Sequence, residues 1–105
     1  MTPSLALAAI ARKLRMDPEI WVQGRMARNR AGMDVGATAI DACAWCAVGL
    51  VLREREPRPI ELCSYLERAI NSEFVGEWND ADGRTVAQVA DAFERAAEIA
   101  KGEGR

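Results

Sequence analysis

From Ala42 to Leu52 the chain reads Ala-Cys-Ala-Trp-Cys-Ala-Val-Gly-Leu-Val-Leu, with no charged or amide side chain. A helix over such a stretch is apolar on every face and belongs in the middle of a domain. The run predicts a central helix at about Ala39–Arg53, with most of Cys43, Trp45, Cys46, Ala47 and Leu50 buried. Thr38 or Asp41 is placed to cap it, and Arg53–Glu56 to end it ahead of Pro57. Gly49 within the run costs about 1 kcal/mol relative to Ala in a helix interior, which implies that another part of the chain packs close to it.

The flanking segments supply the other predicted helices. Ser4 is a candidate cap for a first helix carrying Leu5, Leu7, Ala8, Ile10, Ala11 and Leu14 at helical spacing. Asp17-Pro18 restarts the chain, with Asp17 as N-cap and Pro18 at the first helical position. Arg25–Gly32 reads as an exposed basic loop. Pro59 opens a helix with Ile60, Cys63, Leu66 and Ile70 on one face. Glu73–Gly83 is irregular, and Trp78–Gly83 has turn composition. Thr85 with Gln88 forms a capping box for the last helix, whose stripe is Val86, Val89, Ala90, Phe93, Ala96, Ala97 and Ala100. Lys101–Arg105 is expected to fray. Together these predict an all-α fold: about four main helices around a buried central one, in a single domain over residues 1–105.

Charge and cysteine content narrow the function. The net charge of −2 argues against a dedicated duplex-DNA binder. Residues 1–33 nevertheless carry a net charge of +4 and the remainder −6, an asymmetry suited to steering a partner or a second copy of the chain. Three cysteines cannot all pair with one another. No leader-like segment and no run of the roughly 18 apolar residues of a membrane span is present. The expectation is a cytoplasmic protein with reduced thiols and no membrane association.

The chemistry open to the chain is limited by a complete lack of histidine. Ser-His-Asp and Cys-His catalysis and imidazole metal sites are thereby closed. Cys43-Ala44-Trp45-Cys46 is formally a C-x-x-C. Within a helix, without a strand before it and with Asp41 nearby, it reads as buried structural cysteine rather than redox centre. Cys43, Cys46 and Cys63 lack a fourth zinc ligand. No cofactor and no metal is expected. Asp80 and Asp82 beside Trp78, Asn79 and Arg84 form a candidate ligand loop. They echo a calcium loop without its full pattern, and Asn79 and Asp80 have the alternative role of shaping the turn. Arg25, Arg28 and Arg30, near Trp21, are candidate partner-binding residues, with single-stranded nucleic acid as a weaker option.

Trp21-Val22-Gln23-Gly24, Trp45-Cys46-Ala47-Val48-Gly49, Trp78-Asn79-Asp80, Arg84-Thr85 and Val89 are spaced in a way that resembles an uncharacterised family of short bacterial and bacteriophage proteins. That family's landmarks read W-x-x-G, W-C-x-x-G-A, N-D and R-T-x-x-x-V, with Leu50 here replacing the small residue after the glycine. The resemblance implies a self-contained helical domain, often coded by mobile elements, and carries no catalytic residues. Two functional classes follow from these observations. The first is a non-catalytic module that binds a host or cellular protein, such as a phage accessory factor or inhibitor. The second is a small-ligand binder or enzyme using the Trp78–Asp82 loop.

Overall fold

The computed structural model describes residues 1–105. Five helices and a small sheet follow in the order α1 (Pro3–Met16), a 3-10 turn (Pro18–Ile20), β1 (Ala27–Arg28), β2 (Asp34–Val35), β3 (Ala44–Trp45), α2 (Ala47–Leu52), α3 (Pro59–Ile70), α4 (Val75–Asp80) and α5 (Val86–Gly102). The sheet is antiparallel in the order β2-β1-β3, pairing Ala27 with Val35 on one side and with Trp45 on the other. The fold is therefore mixed α/β, which corrects the all-α expectation.

The correction lies in the apolar run itself. Ala44–Trp45 is strand, and only Ala47–Leu52 is helix. An unbroken apolar run has no periodicity to separate strand from helix. The choice is made by β1, because the Cys43 N–H donates to the Arg28 carbonyl at 2.8 Å and the Cys46 N–H to the Met26 carbonyl at 3.1 Å. Burial follows the sequence more closely. Ala44, Trp45, Cys46, Ala47, Leu50 and Val51 are buried, while Cys43 is half-buried. Neither Thr38 nor Asp41 caps α2. Cys46 holds that position, its Sγ accepting from the Gly49 N–H at 3.3 Å.

Long apolar-faced helices enclose this centre. Helix α1 buries Ala6, Leu7, Ile10, Ala11 and Leu14. Its cap is Thr2 rather than Ser4, the Thr2 hydroxyl accepting from the Leu5 N–H. Helix α5 buries Val89, Ala90, Ala92, Phe93, Ala96, Ala97 and Ala100. The two run antiparallel, since Ser4 reaches Arg105 and Arg15 reaches Asp91 and Glu94. The alanines of α5 let α1 approach closely, and both faces join one core of 21 buried residues.

Three further expectations are corrected. Asp17 makes no capping bond, and Pro18 starts only a 3-10 turn. Helix α3 turns Leu62, Tyr65 and Leu66 inward and leaves Ile60 exposed, so its buried face is rotated from the expected Ile60–Cys63–Leu66–Ile70 stripe. The C-terminal residues do not fray. The Arg105 N–H donates to the Ala100 carbonyl at 2.9 Å, its guanidinium pairs with Glu61, and its carbonyl accepts from Ser4. The capping box of α5 is formed in both directions, Gln88 N–H to Thr85 Oγ1 at 3.2 Å and Thr85 N–H to Gln88 Oε1 at 3.1 Å. Replacing Thr85 by Ala is expected to cost about 1 kcal/mol in a denaturant titration. A change below the resolution of that titration would show that the box contributes nothing.

Arg15 ties the two long helices together at the surface. Its Nε and Nη2 contact Glu94 at 3.0 and 2.7 Å, and Nη2 also reaches Asp91. The hydrogen bonds from Arg15 hold the Glu94 carboxyl below its ordinary value of 4.5. A carboxyl depressed in the folded state stabilises above its unfolded pKa and loses that contribution as pH falls through the folded pKa. The denaturation midpoint of Arg15→Gln should therefore lie below that of the native chain at pH 7. The gap should close as pH drops well below 4.5. A gap independent of pH would place the effect in packing of the Arg15 stem instead.

Candidate functional site

The Trp78–Asp82 segment is built into the fold from four directions. Asn79 is fully buried at the end of α4. Its Oδ1 accepts from Trp21 Nε1 at 2.6 Å and from the Ala47 N–H at 2.9 Å. Its Nδ2 donates to the Val22 carbonyl at 3.1 Å and to Asp80 Oδ1 at 3.0 Å. Both lone pairs and both protons of the amide are thus used. The Ala47 N–H is one of the donors that any helix leaves open at its start, so Asn79 holds the start of α2 in place.

The neighbours of Asn79 are engaged in the same way. Asp80 Oδ1 accepts from the Gly24 N–H at 2.8 Å. Gly24 has φ +79°, a backbone conformation that disfavours any side chain there. Gln23 Nε2 donates to the carbonyls of Asn79 and Ala81 at 2.9 and 3.1 Å, and Arg84 Nε to that of Trp78 at 2.8 Å. These side chains satisfy carbonyls at and just beyond the end of α4. The Arg84 guanidinium also stacks 4.2 Å from the centre of the Trp78 ring. Of the candidate loop residues only Asp82 is exposed with no bond from its side chain to another residue. Glu73–Gly83 is accordingly less irregular than the sequence suggested, since Val75–Asp80 is helical.

Trp45 is held similarly. Its Nε1 donates to the Ala37 carbonyl at 2.8 Å, and Arg53 lies 4.0 Å over its ring. Gly49, four residues on, lies against the backbone leading into β1. A Cβ built there would stand 2.3 Å from the Met26 carbonyl oxygen. The close neighbour that Gly49 implied is therefore backbone. None of the five principal surface depressions is lined by Trp21, Trp45 or Trp78.

The profile of a family of unknown function, DUF6197, matches residues 1–99. The chain belongs to that family. No curated protein and no solved structure shows significant similarity to it. In this DUF6197 chain, Trp21, Gly24, Trp45, Cys46, Gly49, Asn79, Asp80 and Arg84 lie along one connected structural joint. All but Arg84 take part in joining the 3-10 turn, the sheet, α2 and α4, and Arg84 secures the end of α4 through Trp78.

The three arginines occupy different positions within the hairpin. Arg25 is engaged by Asp34 at 3.1 Å and donates to the Gly32 carbonyl at 2.6 Å, bracing the β1–β2 turn. Arg28 is half-buried and donates to the Asn29 carbonyl at 3.2 Å, with Cys43 Sγ at 3.5 Å. Arg30 is exposed at the hairpin tip, and neither it nor Arg28 forms an ion pair within the chain. The Arg25–Gly32 segment is thus partly strand, with Ala27 buried, and not a free loop. Arg30 lines a depression of about 440 Å³ with Asn29, Ala31, Ile40, Asp41, Ala42 and Cys43. Ile40 is fully exposed there and Met33 is exposed in the hairpin turn.

The thiols are free and do not converge on one centre. Burial pushes the Cys46 thiol up, although the N–H groups of Gly49 and Val48 partly offset this, and burial likewise raises Cys63. Strand β3 lies between Cys43 and Cys46 and leaves Cys46 at the start of α2, where the raised pKa opposes thiolate formation. No three Cys, Asp or Glu side chains are gathered in a way that could hold a metal ion. No helix is long and apolar enough to cross a membrane.

Proposed function

We propose that the chain is a small non-catalytic protein-binding module whose contact face is the hairpin tip and the adjoining Ile40 segment. The observation that carries this reading is a fully exposed Ile40 beside an unpaired Arg30, with Met33 exposed in the same hairpin. An apolar anchor next to arginine and methionine is the composition that contact surfaces favour. In this reading Arg30 and Ile40 meet the partner, Arg28 supports them, and Arg25 keeps the hairpin in shape. The partner is a protein of the cell in which the chain is made. In a phage or mobile-element setting, the module would act as an accessory factor or inhibitor. The ligand-loop alternative is weaker, because Asn79, Asp80 and Arg84 are already engaged by the fold.

The test is capture of partners from host extract with the tagged native chain and with Ile40→Asp and Arg30→Glu, followed by mass spectrometry. A protein retained by the native chain and lost from both variants supports the reading. Identical capture by all three would remove the hairpin tip as a contact face. A gel shift with single-stranded nucleic acid that weakens with added salt and with Arg30→Glu would favour the nucleic-acid alternative.

A further inference from the structure

A second depression of about 420 Å³, which shares Arg30 and Cys43 with the first, is lined by Asp17, Glu19, Ile20, Arg28, Arg30 and Cys43. Its acidic rim comes from the turn after α1 and its basic rim from the hairpin. Two carboxylates and two guanidiniums thus share one concavity, yet none of the four forms an ion pair within the chain. Asp17 also makes no capping bond, so its side chain has no local role in the fold.

We infer that this depression is a self-complementary docking surface for a second copy of the chain. A two-fold axis through it sets the acidic rim of each copy on the basic rim of the other. Asp17 and Glu19 then meet Arg28 and Arg30 twice. Isologous interfaces have this reciprocity, in which residue i meets j and j meets i. A purely acidic partner would meet repulsion from Asp17 and Glu19, and a purely basic one repulsion from Arg28 and Arg30. Only a surface carrying both signs in register answers all four charges, and a copy of the same surface does so by symmetry. The resulting dimer is weak and salt-sensitive, because exposed charges at the rim are screened. The inference goes beyond the partner-binding reading, with which it shares Arg28 and Arg30 but not Ile40, Asp17 or Glu19.

The experiment is sedimentation velocity at low salt on the native chain, Arg30→Glu, Glu19→Arg, and an equimolar mixture of the two variants. Both substituted side chains are exposed and form no ion pair in the native chain, so the fold has no such contact to lose. At about 200 μM, above the micromolar range of a weak interface, the native chain should be largely dimeric. Each variant alone sets like charges against each other and should raise the dimer dissociation constant about tenfold or more. The mixture should restore the dimer, because the Glu at position 30 of one chain then faces the Arg at position 19 of the other. A native chain that stays monomeric at this concentration overturns the inference. So does a pair of variants that dimerise as well as the native chain, or a mixture that remains monomeric. Ile40→Asp should leave this equilibrium unchanged while abolishing partner capture, so the two surfaces can fail separately.

Discussion

Asn79→Ala is expected to lose roughly 3–5 kcal/mol of folding stability, because each buried polar group left without a partner costs about 1–3 kcal/mol. Three such groups are left: the Trp21 indole N–H, the Ala47 amide and the Val22 carbonyl. A loss of this size is a large share of the net stability of a domain of this length. Urea unfolding followed by tryptophan fluorescence measures it directly. A loss below about 1 kcal/mol would mean that water replaces the amide and that Asn79 is not the joint described.

Asn79→Asp separates the acceptor role from the donor role. Its carboxylate keeps an oxygen for Trp21 and Ala47 but sets the other against the Val22 carbonyl, in a buried position. Desolvation raises the folded-state pKa of such a carboxyl above its unfolded value of about 3.9. A group raised in the folded state stabilises fully below the unfolded pKa and loses that contribution as pH rises through the folded pKa. The deficit of Asn79→Asp relative to the native chain should therefore be largest at pH 7 and shrink on acidification. A deficit independent of pH would show that the position is wet.

Gly49→Ala should destabilise by about 3 kcal/mol, since extra volume in a close-packed interior costs 1–3 kcal/mol and sometimes more. The direction is opposite to helix propensity, which favours Ala by about 1 kcal/mol in a helix interior. The clash is with the Met26 carbonyl oxygen, which is backbone immediately before β1 and is already accepting from the Cys46 N–H. It cannot turn aside as a flexible side chain would. Gly76→Ala in α4 is the matched control, because nothing lies within 4 Å of a Cβ at that position. That variant should be neutral or more stable by up to about 1 kcal/mol. Paired unfolding curves check both, and a stabilised Gly49→Ala would show that β1 shifts freely away from α2.

The candidate site divides along similar lines. That Trp78, Asn79, Asp80, Asp82 and Arg84 share one segment was legible from composition, but composition read it as a turn, whereas Asn79 and Asp80 are the last residues of helix α4. That the segment also receives Trp21, Gln23 and Gly24 was not legible, since these lie more than fifty residues away along the chain. The basic segment was visible as composition, but composition could not show that Arg25 is engaged while Arg30 is unpaired. The Asp17–Glu19 rim gave no signal until the turn after α1 and the hairpin were brought together around one depression.

The sequence by itself determined the long elements. Helices α1 and α5 have apolar residues at helical spacing over three or more turns, with caps or capping boxes that need no distant partner. The capping box at Thr85 and the buried face of α5 were therefore readable directly. Burial of Ala44–Ala47 and Gly49–Val51 was readable too, because a run without polar groups has nowhere else to go. Tertiary structure alone decided what that run becomes. A uniform apolar stretch satisfies either backbone geometry, and the open hydrogen-bonding edge of β1 took Ala44–Trp45 as strand. The Asn79 amide and the close passage of Met26 over Gly49 then set where helix α2 begins and what packs against it. Those contacts join residues distant in sequence, and no local propensity encodes them.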